Sequence, residues 1–175
     1  DHHGTGGPLH VSHGITRNPL FEAWAEAGQQ AGYPMTSDLN GRQQEGLGPM
    51  EMTTRAGRRC SAAKAYLRPA QTRGNVTVAP RALLSRVLFE GRRAVGVEYS
   101  QRGQVKQARA AREVIVSGGA INSPQILMLS GVGPADHLRE HGIKVVHDLP
   151  GVGQNLQDHI ETYVQHRCLQ PITLY

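Results

Sequence analysis

Aromatic residues are scarce in this 175-residue sequence: 5% of it, with a single tryptophan. That leaves no aromatic stripe on which nucleic-acid bases could stack. There are two cysteines, Cys60 and Cys168, far apart in the chain. They form neither a metal-ligand spacing nor a disulfide framework, so a reducing compartment is allowed. No run of eighteen apolar residues occurs, so no helix can be expected to span a membrane. The opening DHHGTGGPLH has neither the apolar core of a signal peptide nor the character of a transit peptide. No Gly-x-Ser-x-Gly elbow is present, which removes the usual serine hydrolase signature. A complete Gly-x-Gly-x-x-Gly loop is missing too. Gly131-Val132-Gly133 and Gly151-Val152-Gly153 each lack the third glycine, and Pro134 takes away an amide that a phosphate would need.

What is present points to a loop-rich globular chain. Hydrophobic residues make up 38% and charged ones 19%, enough to bury a core, while 21 glycines and 10 prolines imply many turns. The net charge is +5, with arginine pairs at Arg58-Arg59 and Arg92-Arg93. These arginines are scattered, so a solvated face is favoured over a nucleic-acid surface. The excess charge can still attract phosphates or an acidic membrane surface. Nine histidines invite a metal reading. His2-His3 and His10/His13 have no acidic or cysteine partner at ligand spacing. His137 and His141 stand i, i+4 with Glu140 between them, but the H-E-x-x-H order is absent, and no metal site is assigned. The sequence starts without methionine and stops at Tyr175, and it reads as an internal fragment of a longer protein.

Local patterns divide the chain. Residues 7–11 read as a short strand. Asn18-Pro19 opens a helix, asparagine as cap and proline in the first turn. Leu20, Phe21 and Trp24 form its apolar face, Trp24 as a core anchor rather than a stacking platform, and Gly32 and Pro34 end it. A strand near 49–54 and a helix over 61–67 follow, the latter stopped by Pro69. Residues 76–79, 83–89, 94–99 and 105–110 are short apolar or alternating runs, with Gly91 and Gly103 at turns: a hairpin meander. Further strands are expected at 113–117, 143–146 and 160–165, and further helices at 123–129 and 135–141.

The most informative stretch is VSGGAINSPQILMLSGVG, residues 116–133. Val114, Ile115 and Val116 make a strand of β-branched residues. Gly118 and Gly119 permit a turn and close backbone approach. Asn122 or Ser123 can cap the following helix, with Pro124 at its first position. Its apolar residues run nearly all round, which implies burial. A helix start after a glycine turn is a place for a phosphate or a cofactor edge.

The run Gly119-Ala120-Ile121-Asn122-Ser123-Pro124-Gln125-Ile126-Leu127, ending in Ser130-Gly131-Val132-Gly133, resembles the second signature of the glucose–methanol–choline (GMC) flavin oxidoreductases. Gly151–Glu161, GVGQNLQDHIE, resembles that family's Asn-Leu-x-Asp-His element beside the flavin and substrate cavity. Residues 7–12, 27–34, 85–91 and 93–99 are similar to the choline-oxidising members, and the likeness runs from Gly7 to Tyr175.

The resemblance implies FAD as cofactor, choline as the alcohol substrate, and a quinone or oxygen as electron acceptor, with no nucleic acid. It implies that Glu161 binds the trimethylammonium head and that His159 is a catalytic-site residue tuning proton and charge balance. Leu84, on the strand over 82–87, would meet the adenine through its backbone. Gly118, Gly119 and Ala120 would pass the adenosine portion, and Asn155 and Asp158 would complete the cofactor contacts.

The expected fold class is α/β, an incomplete member of the family fold. Residues 1–69 would be an α+β portion of the substrate domain. Residues 70–157 would be an FAD-binding portion with the meander and buried helix, and 158–175 would start the next substrate-domain strand. The fragment alone is expected to be inactive, since the dinucleotide loop and the catalytic base lie outside it. Likeness to mitochondrial members suggests a mitochondrion, inner-membrane associated, or else a bacterial cytoplasm or membrane periphery. The alternatives are a family member acting on another primary alcohol and a non-enzymatic basic nucleic-acid-binding module.

Overall fold

The computed structural model describes residues 2–14 and 18–172. The end of the family likeness and of the expected segment 158–175, at Tyr175, lies outside the described residues. Contacts divide the chain into two compact units: residues up to Thr77 together with those from Tyr163 onward, and Val78–Thr162.

In the first unit, β1 (Ser12–His13) opens the chain a residue beyond the expected strand at 7–11. Helix α1 (Pro19–Gln30) starts as expected, because Asn18 Oδ1 accepts from the Leu20 N–H at 2.9 Å. Strand β2 (Glu51–Met52) pairs antiparallel with β1, His13 opposite Glu51, and β3 (Thr54–Arg55) pairs with β4 (Arg58–Arg59). Trp24 corrects its expected role as a core anchor. It is 61% exposed, and no residue of α1 is buried. Phe21 and Trp24 instead line an open hollow of about 540 Å³ with Met35, Leu47, Met50 and Met52. The apolar face has formed, but no described residue of this unit closes over it.

Pro69 does not stop its helix. A π-helical stretch, Ala63–Leu67, runs straight into α2 (Arg68–Gln71), with Pro69 in the first turn of α2. The wider π turn eases the clash of the proline ring with the carbonyl four residues earlier.

The second unit opens with the expected meander: β5 (Ala82–Glu90), β6 (Arg93–Gln101) and β7 (Gln104–Arg109), antiparallel in that order. Residues 76–79, expected as an earlier strand, carry no ladder. Residues 113–117 are also without one. Val114 and Val116 are half-buried and Ile115 is 77% exposed, so the period of two survives. No strand among the described residues lies beside them to exchange the ladder hydrogen bonds.

Helix α3 (Gly119–Leu129) begins four residues before the expected start and packs on β5. Pro124 therefore lies inside it, and Ser130 follows its end. The expected all-round burial is not reached: no residue of α3 is buried. Strand β8 (Val132–Gly133) and helix α4 (Ala135–Glu140) follow, and β8 pairs in parallel with β9 (His147–Asp148). The strand expected at 143–146 is displaced to β9 because the Val146 and His147 N–H groups both donate to the Gly131 carbonyl, at 2.8 and 3.1 Å. Leu138 of α4 is wholly buried, and Val132, Ala135 and Val152 of the same unit are buried as well. Residues 160–165 form no strand. The fold class is α/β, as expected, with mixed helices and strands.

Candidate functional site

The turn into α3 is built from its glycines and from Ser123. Gly119 has φ +88°, and a Cβ placed there would meet nothing within 4 Å. Such a backbone is open to close approach and closed to ordinary L-residues. The Gly118 N–H donates to Ser123 Oγ at 2.9 Å. Ser123 thus binds the turn from within the helix rather than capping it from outside. Pro124 offers no N–H to the carbonyl of Ala120, four residues earlier, so that oxygen forgoes its helical donor.

Ala120 lines a hollow of about 570 Å³ with Pro124, Met128, Gly153, Gln154 and Asn155 among its walls. The size suits part of a large cofactor, and apolar walls with a few amides suit a flat ring system. Two expected contacts, Ala120 and Asn155, are brought together here, and Gly118 and Gly119 adjoin the first. Leu84 is half-buried on β5, which packs against α3, but it does not line the hollow. Asp158, His159 and Glu161 are exposed and lie outside its lining. Asp158 Oδ1 accepts from the His159 N–H at 2.9 Å. The segment is not a strand, so the shared face expected for His159 and Glu161 is not formed by a pleat. A second, more apolar hollow of about 330 Å³ is lined by Val87, Val114, Val116 and Leu127 and holds none of the expected site residues.

The sequence reading missed Met128, Gly153 and Gln154 as walls, and Ser130 as a link. Ser130 Oγ accepts from the Val87 N–H at 2.8 Å and donates to the Ile126 carbonyl at 2.5 Å. Its one available signal was its place in the Ser-Gly-Val-Gly run. The structure also gives His3 acidic neighbours that sequence spacing hid. Its Nε2 lies 2.7 Å from Asp38 Oδ2, and Glu51 completes a cluster whose ligating atoms lie within 4.8 Å of one another. The hydrogen bond between His3 and Asp38 raises the imidazole pKa and lowers that of the carboxyl. Both are open to solvent, so the pair is a screened surface contact.

The sequence model of the GMC oxidoreductase family matches residues 3–161. The chain is 62% identical over 172 residues to the mitochondrial choline dehydrogenase of Homo sapiens, covering 98% of this chain and 29% of that protein. It is 57% identical to the oxygen-dependent choline dehydrogenase of Brucella ovis, covering 98% of this chain and 31% of that one. An FAD-dependent oxidoreductase from Chaetomium thermophilum superposes with a TM-score of 0.84 at 34% identity, over 89% of this chain and 27% of that one. The chain thus spans less than a third of the length of these relatives. With the glycine turn, its helix and the hollow beside them in view, this chain belongs to the GMC oxidoreductase family, whose cofactor is FAD.

Proposed function

We propose that the protein carrying this chain oxidises the primary alcohol of choline to betaine aldehyde. The observation that carries the reading is the shared hollow of Ala120 and Asn155, in a chain 62% identical to a choline dehydrogenase. The residues present fit part of an FAD molecule, because Gly119 leaves backbone open where any side chain would stand. When bound, FAD supplies the acceptor for a hydride from the alcohol carbon.

The chain's own residues bind and orient. Gly118, Gly119 and Ala120 pass the adenosine portion, and the backbone at Leu84 meets the adenine. Asn155 and Asp158 would complete the cofactor contacts. Glu161 provides the negative charge that attracts the trimethylammonium head. His159 adjusts the proton balance beside the reacting carbon. Holding that carbon against the acceptor supplies much of the rate. Glu161 is exposed in this chain, so the reading requires the remainder of the protein to close a cavity over it.

In this reading residues 1–69 and 158–175 belong to the substrate domain and 70–157 to the FAD domain. The electron acceptor is a quinone or oxygen. The protein works in a mitochondrion against the inner membrane, although no helix among the described residues is long and apolar enough to cross one. The deciding experiment is anaerobic titration of the purified full-length protein with choline. A flavin spectrum bleached by choline is expected. A colourless protein, or a flavin spectrum that choline leaves unchanged, would overturn the proposal.

A further inference from the structure

Ser130 lies where α3 meets β5. It is 8% exposed, immediately beyond the end of α3, and its hydroxyl is used in both directions. It accepts from the Val87 N–H of β5 and donates to the Ile126 carbonyl of α3, across 43 residues of sequence in the first case. Val87 is itself buried and stands opposite Val97 in the ladder with β6. An N–H that reaches Ser130 points away from β6, so this bond occupies the outer edge of β5. Apolar packing between α3 and β5 is non-directional and tolerates small slides. A hydrogen bond with one donor and one acceptor does not.

We infer that Ser130 is a positioning residue for the flavin: its hydroxyl fixes β5, with Leu84, against α3, with the Gly118–Ala120 turn. It does not line the hollow beside Ala120. It sets the distance between two elements that, in the FAD reading, must both reach the adenosine portion of one cofactor. The inference rests on the FAD reading above.

The test is flavin affinity in the full-length protein, measured by fluorescence of FAD released from and rebound to the apoprotein. Ser130→Ala leaves the buried Val87 N–H without its acceptor and should weaken flavin binding about tenfold or more. Thr and Val have nearly the same shape, but only Thr keeps the hydroxyl, which can bond the carbonyl four residues back. Ser130→Thr should therefore hold flavin within about threefold of wild type, and Ser130→Val should not. Leu138→Ala, in α4 and on neither element, controls for general destabilisation. It should lower the melting temperature while leaving flavin affinity near wild type. Equal affinity for the Thr and Val variants would overturn the inference. So would a Leu138→Ala loss matching that of Ser130→Ala, or a folded Thr variant that fails to hold flavin. A wild-type protein without flavin would instead sink the FAD reading itself.

Discussion

A carboxylate that holds a quaternary ammonium acts on binding before it acts on rate. Glu161→Gln in the full-length protein should raise KM for choline about tenfold or more, with a smaller change in kcat, since tenfold corresponds to about 1.4 kcal/mol. Steady-state kinetics with choline and an uncharged alcohol of similar size would check it, and equal losses for both would remove the assignment. Glu98 gives a different residue-scale prediction. Arg86 Nε and a terminal guanidinium nitrogen donate to its two oxygens at 3.0 and 3.1 Å, and Gln107 adds a third bond at 3.1 Å. The Arg86 bond first, then Gln107, holds the Glu98 pKa below its ordinary 4.5. A lowered folded pKa stabilises above the unfolded value, and the stabilisation is lost as pH falls through the folded one. The melting-temperature gap between wild type and Glu98→Gln should be full at neutral pH. It should shrink once the pH drops below about 4.5.

At the scale of elements, the two ends of α3 rely on glycine for different reasons. Gly119 and Gly131 both have φ +88°. A Cβ at Gly119 would stand in open space, whereas one at Gly131 would run into the Lys144 carbonyl and the Val146 side chain. Gly119→Ala should cost about 1–2 kcal/mol, the penalty of a left-handed backbone alone. Gly131→Ala adds a collision with backbone that cannot swing away and should cost roughly 2–5 kcal/mol. Urea denaturation of both variants checks the order. The elements legible in advance were those with local causes. Asn18 and Pro19 start α1 through contacts within three residues, and the alternation of β5 to β7 is read in one window. Pro69 and Pro124 were misjudged because a π turn and an early helix start depend on what packs nearby.

For the whole molecule, the share of its relatives that this chain spans governs what it can do alone. Apolar side chains such as Ile115, Ile121 and Leu156 stand exposed beside the hollow and the unpaired segment 113–117. Residues 1–175 expressed alone should bind no flavin and turn over no choline, while the full-length protein should do both. Absorbance and a coupled aldehyde assay separate the two. Detectable turnover by the isolated chain would mean that the base lies within it.

The family resemblance, with the cofactor it implies, sits in local motifs, and the meander strands β5 to β7 follow from local chemistry: turn glycines and alternating runs act over a few residues and are written in order along the chain. The tertiary structure alone decided which distant groups meet. It set the bond from Val87 to Ser130, the hydrogen bond between His3 and Asp38, and the joining of Ala120 and Asn155 around one hollow. Such pairings arise from how elements pack, and no residue carries the address of a partner dozens of positions away. Glu161 shows both sides: the family resemblance makes it the candidate for the substrate's cation, and its exposure shows that this chain does not close a cavity over it.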